Sequence, residues 1–489
     1  MTIPDHREAA RVSGLRIGRK QLSTALDLIV SDCLCVSSHD IRRQDIGIRQ
    51  GQIVALGDLA DADSAETLEA SGLLALPGLV DAHVHPTYLD DPRDCSIAAL
   101  CGGVTTMLFF AYARKGDSLL GAVHELRDAA LSLSLVDFGL HATLFDPHVQ
   151  AKEIPAVAAE GVRTFKLFLA YAAQGWMADD FALVEVMERI SAVDGLLLAH
   201  CENGAAIDVL ERGVLTSGKP DGSWALNATR PALLEAEAVN RVITFGDVFD
   251  CPVFVVHITS AEALEVVRRA RASGRKLAAE TCPQYLALTA SAVDQWGPLA
   301  KIGPPLRTES DRRSLWTGLR DRSLQTIGSD HVPKKTLAEA SGSLREAEFG
   351  APSIETMLAV VYDRGVAQGR ISVTRLAELM SENPARIFGL WPRKGAIDLG
   401  ADADLVLWDP DGTTVISAQQ LHSRSGYSLY EGQRLTGKHV ATLSRGRLMA
   451  RDGDLVDDSG SGEFLATGAG DLLRDDPPRM FADSALDGT

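Results

Sequence analysis

Leu73-Leu74-Ala75-Leu76-Pro77-Gly78-Leu79-Val80-Asp81-Ala82-His83-Val84-His85 is an apolar run that ends in two histidines separated by one residue. Side chains two residues apart on a β-strand point to the same face, so the imidazoles of His83 and His85 converge on one point. Neutral imidazole is the commonest protein ligand of divalent transition metals. The stretch predicts a strand with a metal site at its carboxyl end. Taken alone, it fits a pair of partly buried structural histidines equally well.

Similar apolar segments recur along the chain and alternate with helix-like stretches. The candidate strands cover 74–85, 104–111, 136–145, 162–171, 195–203, 252–260, 276–288 and 324–333. The helix-like stretches include 180–193, 231–245, 261–273 and 310–321. Eight strands that alternate with helices predict a (β/α)8 barrel. A doubly wound open sheet is the alternative, but no glycine-rich phosphate loop follows any of these strands.

Segments with strand alternation and turn glycines flank the barrel at both ends of the chain. They cover 26–36 and 45–56 before the barrel, and 403–408 and 440–450 after it. Since neither end has enough strands for a domain, we expect one smaller β-sandwich domain built from both. The predicted division is therefore an N-terminal arm and part of the sandwich (1–75), the barrel (76–385), the remainder of the sandwich (386–455) and a flexible acidic tail (456–489).

Composition excludes several classes of protein. A hydrophobic content of 46% and a charged content of 23% over 489 residues are those of a globular protein with a sizeable core. The formal net charge of -18 argues against a nucleic-acid partner. No apolar run approaches the roughly 18 residues of a membrane span, and the N-terminus lacks a signal-peptide pattern. Seven cysteines without the spacing of a disulfide framework then indicate reduced thiols and a cytoplasmic location.

Six residues with metal-binding or acid–base chemistry end five of the predicted strands. Besides His83 and His85, they are Lys166, His200, His257 and Asp330. A lysine in an apolar run needs a carboxylate partner, deprotonation or covalent modification, because an unpaired buried charge is costly. Barrel enzymes carry their active sites at the carboxyl ends of the strands. A lone histidine there is commonly structural, but this set indicates one shared site.

The chain resembles the amidohydrolase superfamily, and within it the cyclic-amide hydrolases dihydropyrimidinase, hydantoinase and allantoinase. The resemblance covers about residues 26–450 and rests on the motifs His-x-His, Phe-Lys-x-Phe-x-x-Tyr, His-x-Glu-Asn, Val-His and Gly-Ser-Asp-His. Segments without candidate ligands agree as well, at 280–286, 304–307, 383–390, 393–397 and 401–406. The resemblance identifies this branch of the superfamily but not the substrate.

This resemblance implies a centre of two Zn²⁺ ions. His83 and His85 would bind the more buried ion together with Asp330, and His200 and His257 would bind the other. Lys166, carboxylated at its amine to N6-carboxylysine, would bridge the two ions. Carboxylation also converts the buried cation into an anionic ligand, and this removes the unpaired charge. The same ligands suit Mn²⁺ or Co²⁺.

The resemblance also implies a mechanism, in which a zinc-bound hydroxide attacks the amide carbonyl of a ring. Tyr171 would donate to the developing oxyanion, and Asp330 would carry the proton of the nucleophile to the leaving nitrogen. Substrate contacts are expected from Tyr171, Pro283 and Phe349. His331 is expected to position its loop, and His141 to be a satisfied core histidine.

The substrate class expected is a hydantoin, a dihydropyrimidine or a related ureide or imide ring. Dihydroorotases usually have an arginine two residues after the second histidine, whereas this chain has Thr87. Without that bidentate clamp, an acidic ring is a weaker fit. Allantoinase-like or dihydroorotase-like activity is therefore the alternative within the branch, and the resemblance suggests a homo-oligomer, either a tetramer or a dimer.

Two alternatives lie outside the branch. Non-catalytic relatives such as the collapsin response mediator proteins lose the ligands and the bridging lysine, and mononuclear deaminases lack that lysine. This chain keeps every one of these residues.

Overall fold

The computed structural model describes residues 25–216 and 222–473. The predicted arm before residue 25 and the end of the predicted tail lie outside the described residues. The strands, in chain order, are β1 (Leu26–Val36), β2 (Ile41–Arg49), β3 (Gln52–Gly57), β4 (Ser64–Glu69), β5 (Leu74–Pro77), β6 (Leu79–Val84), β7 (Val104–Ala113), β8 (Asp137–Leu144), β9 (Thr164–Phe168), β10 (Leu196–His200), β11 (Val253–Val255), β12 (Leu277–Thr281), β13 (Thr326–Ile327), β14 (Leu405–Val415), β15 (Arg434–Ser444), β16 (Arg447–Arg451) and β17 (Asp454–Leu455).

Helices connect the strands. They are α1 (Pro92–Cys101), α2 (Leu119–Leu133), α3 (Pro147–Gln150), α4 (Ile154–Ala159), α5 (Asp180–Ser191), α6 (Gly204–Thr216), α7 (Ser223–Thr229), α8 (Ala232–Val248), α9 (Ala261–Ala272), α10 (Pro283–Ala287), α11 (Ser291–Trp296), α12 (Glu309–Arg320), α13 (Met357–Val361), α14 (Val373–Ala377) and α15 (Asn383–Ile387). None of the helices described is long and apolar enough to cross a membrane.

Strands β6 to β13 are parallel and neighbour one another in chain order. A bridge between Val84 and His331 joins the two ends of this sheet. There the amide of His85 donates to the carbonyl of His331 over 3.1 Å, and the amide of His331 donates to the carbonyl of His83 over 3.3 Å. The predicted eight-stranded barrel is confirmed, and its closure brings the first and last strand ends together.

Several barrel strands are shorter than the sequence predicts. The segment 74–85 divides at Gly78 into β5, which joins the smaller sheet, and β6, which joins the barrel, and a Cβ at Gly78 would collide with Thr105 and Asp404. Strand β13 has only two residues, since the chain beyond it turns into the loop that carries Asp330. In the predicted strand 276–288, Pro283 instead begins α10.

The smaller domain is built from both ends of the chain, as predicted. Its strands form one sheet in the order β17-β16-β15-β14-β5-β1-β2-β3, with β4 paired to β1. A bridge joins Gln52, in the edge strand β3, to Asp402, which lies just before β14. The sheet therefore folds back on itself. It encloses its own apolar core, which includes Val30, Cys33, Ile46, Ile53, Leu405 and Leu443.

Residues 456–473 form a strap along the outside of the barrel floor, where a flexible tail is predicted. The amide of Phe138 donates to the carbonyl of Glu463 over 2.9 Å, and the amide of Leu465 donates back to Phe138 over 2.7 Å. Leu465 and Leu473 are buried against the barrel. The acidic composition suggested a solvated tail, but its apolar residues bind this strap to the floor.

Candidate metal centre

The six predicted ligands line one cavity of about 230 Å³ at the carboxyl ends of the barrel strands. Asp330 Oδ1 lies 3.1 Å from His83 Nε2 and 3.4 Å from His85 Nε2. The ligand atoms of these three residues lie within 4.8 Å of one another, close enough to hold one metal ion. On the other side, the rings of His200 and His257 have centroids 4.6 Å apart. The structure thus brings the six residues together in two adjoining groups.

Buried carboxylates orient two of the histidines. Glu280 Oε1 lies 2.6 Å from His83 Nδ1, and Glu202 Oε2 lies 2.8 Å from His200 Nε2. Metal-binding histidines commonly donate their second ring N–H to a carboxylate in this way, which leaves the other nitrogen free for the ion. Sequence reasoning missed both glutamates, although each lies in a motif quoted above.

Three of the four imidazoles are held in the neutral form that a metal requires. Burial lowers the pKa of His85 to about 3, and burial also lowers the pKa values of His200 and His257. Glu202 remains ionised beside them. Burial alone would raise the pKa of Glu202, but the charge of Arg230 and the hydrogen bond with His200 lower it to about 2.

Lys166 lies between the two groups with only 1% of its surface exposed. Its Nζ lies 5.2 Å from the ring centroid of Phe110 and 5.3 Å from that of Phe168. Within the described part of the chain, the amine has neither an ion-pair partner nor a hydrogen-bond acceptor. Burial lowers the pKa of Lys166 to about 8. A buried amine without a hydrogen-bond acceptor among the described residues therefore lies between the two groups of candidate ligands.

Three residues of the site have left-handed backbone conformations. They are Tyr171, His257 and Asp330, with φ values of 65°, 38° and 49°. Such conformations are strained for residues other than glycine and gather at functional sites. Beside Asp330, the amide of Ser329 donates to Asp81 over 3.0 Å. His331 Nε2 lies 3.0 Å from Asp90, which agrees with the predicted role of His331 in positioning this loop.

Aromatic residues form the mouth of the cavity. Tyr88, Tyr171, Trp176 and Phe349 line it, and the Phe349 ring lies between Arg230 at 4.7 Å and Lys301 Nζ at 4.6 Å. Pro283, which is expected to contact substrate, is buried at the start of α10 and is not among the residues that line this cavity, so its contact with substrate stays a prediction.

Gly303 is a lining residue that sequence reasoning missed. A Cβ at Gly303 would lie 2.8 Å from the Tyr171 hydroxyl and 3.0 Å from Phe349. The absence of a side chain at this position therefore leaves room for both rings. His141 lies below the site and is satisfied, with its ring nitrogens 2.7 Å from Thr164 Oγ1 and 3.1 Å from the carbonyl of Ala82.

Comparison with known proteins agrees with this geometry. The Amidohydrolase family matches residues 74–449. The chain belongs to the amidohydrolase family. A D-hydantoinase of Ralstonia pickettii is 34% identical over 90% of this chain and 98% of the relative, and one of Streptomyces coelicolor is 35% identical over 89% and 97%.

Solved structures of this family share the whole architecture. The dihydropyrimidinase from Brevibacillus agri superimposes with a TM-score of 0.86 and 31% identity over 91% of this chain and 99% of its own. The predicted fold and the predicted membership of the cyclic-amide branch are confirmed, and the protein is a hydrolase of this amidohydrolase type.

Proposed function

We propose that the protein opens a cyclic amide ring, such as a hydantoin or a dihydropyrimidine, with the help of two divalent metal ions. The observation that carries this proposal is the unpaired Lys166 amine between the two groups of ligands. A structural cluster would place a carboxylate beside such an amine, whereas a carboxylated lysine supplies the missing negative charge itself.

The donor set divides naturally between two ions. His83, His85 and Asp330 would hold one, His200 and His257 the other, and carboxylated Lys166 would bridge them. Zn²⁺ suits these nitrogen and oxygen ligands, and Mn²⁺ or Co²⁺ fits them as well. When bound, the ions supply Lewis acidity and make a water molecule more acidic.

Carboxylation of Lys166 would need CO₂ and no other co-reactant. The lone pair of the neutral amine would form a bond to the carbon of CO₂ while one C=O bond opens to place the negative charge on oxygen, and the nitrogen would release one proton to water to give a carbamate. Burial favours the neutral amine, since it lowers the pKa of Lys166 to about 8. The product has two oxygens, enough for one to face each group of histidines.

Asp330 and Tyr171 would move protons and stabilise charge. Asp330 accepts the proton lost when water adds to the ring carbonyl, and it returns that proton to the ring nitrogen as the C–N bond breaks. Burial raises the pKa of the Tyr171 hydroxyl, so Tyr171 keeps its proton and can donate to the carbonyl oxygen.

The walls of the cavity favour a compact neutral ring. Phe145, Phe168 and Trp176 supply flat apolar surface beside the ligands, and Thr87 offers no bidentate clamp for a substrate carboxylate. The similar proteins described above are a hydantoinase and a dihydropyrimidinase, which are named for rings of this kind. The oligomeric state stays a prediction.

The test is a substrate panel on Lys166 variants supplied with zinc and bicarbonate. The wild type should open hydantoin, dihydrouracil or a related ring, measured by the loss of ring absorbance. Lys166→Ala should be inactive and partly rescued by short-chain carboxylic acids, which can occupy the carbamate position. Lys166→Arg keeps a positive charge but cannot form the carbamate, so it should be inactive without rescue. Activity of Lys166→Arg close to that of the wild type would contradict the proposal.

A further inference from the structure

A second cavity, of about 540 Å³, lies between α1 and the smaller domain. Cys101, Glu355 and His422 meet at its wall, and their sulfur, oxygen and nitrogen ligand atoms lie within 4.8 Å of one another. The cluster lies outside the catalytic cavity, with which it shares no residue. We propose that Cys101 and His422 bind a divalent transition-metal ion here, with Glu355 orienting His422.

Glu355 fixes His422 at two points. Its Oε1 lies 2.9 Å from His422 Nδ1, and its Oε2 accepts from the His422 amide over 2.8 Å. This is the carboxylate–histidine arrangement that accompanies metal-binding imidazoles. With Nδ1 engaged, Nε2 is the nitrogen that faces Cys101, and it lies 4.0 Å from the sulfur.

That separation fits an ion held between the two atoms. Bonds from zinc to imidazole nitrogen and to thiolate sulfur measure about 2.1 Å and about 2.3 Å, which together exceed 4.0 Å. A bent arrangement therefore joins them without moving the backbone. A thiolate and an imidazole are ligands that suit zinc better than the harder cations.

Asp454 of β17 lines the same cavity, where its negative charge acts on both Cys101 and His422. The nearby cation Lys438 does not compete for it, because Lys438 Nζ already pairs with Asp452 over 2.7 Å.

The same cavity contains unsatisfied polar atoms. His439 Nδ1 and Trp408 Nε1 line it and have no hydrogen-bond partner among the described residues, and Trp408 is only 1% exposed. Buried polar atoms are normally paired, often through ordered water. Water molecules that complete the coordination of an ion at Cys101 would provide such partners.

An ion at this position would join three separate segments: the end of α1, the loop that follows β14 and, through Glu355, the turn before α13. It would also support the catalytic loop indirectly. Two residues after His422, the amide of Arg424 donates to Asp90 over 2.8 Å, and Asp90 binds His331 beside Asp330. The proposed ion would thus have a structural role, since it would stabilise the segments that support the candidate catalytic centre.

Cobalt binding to the full chain tests this site, because a cobalt–thiolate bond produces a near-ultraviolet charge-transfer band. Of the described residues that line the catalytic cavity, none is a cysteine, so that centre cannot produce the band. Titration of metal-free protein with Co²⁺ should give the band in the wild type and in Lys166→Ala. It should be absent from Cys101→Ser and strongly weakened in His422→Ala.

The matched control is Cys95→Ser, which changes an equally buried cysteine of α1 that is outside the cluster. Cys95→Ser should keep the band. No band in the wild type at saturating Co²⁺, or a band that survives in a folded Cys101→Ser, would overturn the proposal. Since Lys166→Ala removes only the catalytic bridge, the result stands whether or not the proposed ring-opening activity is found.

Discussion

At the scale of single residues, the site depends as much on the carboxylates that orient its histidines as on the candidate ligands themselves. His83 and His200 each have one ring nitrogen held by a buried glutamate, so their other nitrogens keep one orientation. Glu202 also accepts from Arg230 over 2.5 Å, and the Arg230 guanidinium lies over the rings of Tyr171 and Phe349. A single ion pair thus connects a candidate metal ligand with the wall that faces the substrate.

We therefore expect Glu202→Gln to weaken the site without unfolding the protein. Loss of the negative charge removes the group that fixes His200 and balances Arg230. Changes of this kind lower metal affinity or activity by about 10- to 100-fold. The measurements are metal content and kcat/KM on the best ring substrate.

Glu211→Gln is the matched control for this prediction. Glu211 lies 3.6 Å from the other side of the Arg230 guanidinium and does not contact His200. It should therefore leave metal content and kcat/KM near the values of the wild type. Equal losses in the two variants would show that Arg230, rather than His200, is what Glu202 serves.

At the scale of the elements, apolar runs and the polar residues that end them were enough to predict the barrel. His83, Lys166, His200 and Asp330 each follow or end such a run, and parallel strands bring their ends to one rim. Glu280 was not assigned a role in this way, because it lies inside an apolar strand and nothing in the pattern shows that it pairs with His83. The predicted strand 324–333 ends instead at Ile327, since the backbone that follows crosses to β6 to close the barrel.

The strap illustrates a second limit of sequence patterns. Its glycines and aspartates resemble a solvated tail, yet glycine also allows close approach to another backbone. A Cβ at Gly462 would collide with the carbonyl of Val136, and one at Gly470 with that of Arg386. Whether glycine is needed at these positions depends on the surface against which the strap packs, and the sequence pattern of the strap does not contain that surface.

Leu465→Ala tests whether the strap contributes to stability. Leu465 is 5% exposed and packs into the core on the barrel floor, so truncation should lower the free energy of unfolding by about 2–5 kcal/mol. Leu399→Ala is the control, because Leu399 is 65% exposed and its truncation should change stability by less than about 0.5 kcal/mol. Denaturant unfolding of both variants measures the difference, and equal small effects would contradict the packing of the strap.

At the scale of the whole molecule, one buried lysine connects the two domains. Lys394 Nζ lies 2.5 Å from Asp137 at the start of β8, and 2.9 Å and 2.8 Å from Asp402 and Asp404 beside β14. Burial alone would lower the pKa of Lys394, but the three aspartates, led by Asp404, hold it well above the usual value. The stability that this raised pKa contributes is complete below about pH 10 and is lost only as the pH rises through the raised pKa.

Lys394→Met should therefore destabilise the protein strongly at neutral pH. It leaves three carboxylates near one another in the interior without their ammonium, and breaking a buried ion pair from one side costs about 3–5 kcal/mol. Burial raises the pKa of Asp404, and in the variant no lysine opposes that shift. Acid then protonates Asp404, so the loss of stability should be smaller at about pH 5 than at about pH 8. Lys438→Met provides the control, because Lys438 and Asp452 form an exposed pair and should change stability by about 1 kcal/mol or less at either pH. Urea unfolding of both variants at the two pH values measures these changes in the free energy of unfolding. If the loss in Lys394→Met is as large in acid as at about pH 8, then lost packing, rather than unpaired charge, destabilises the junction between the domains.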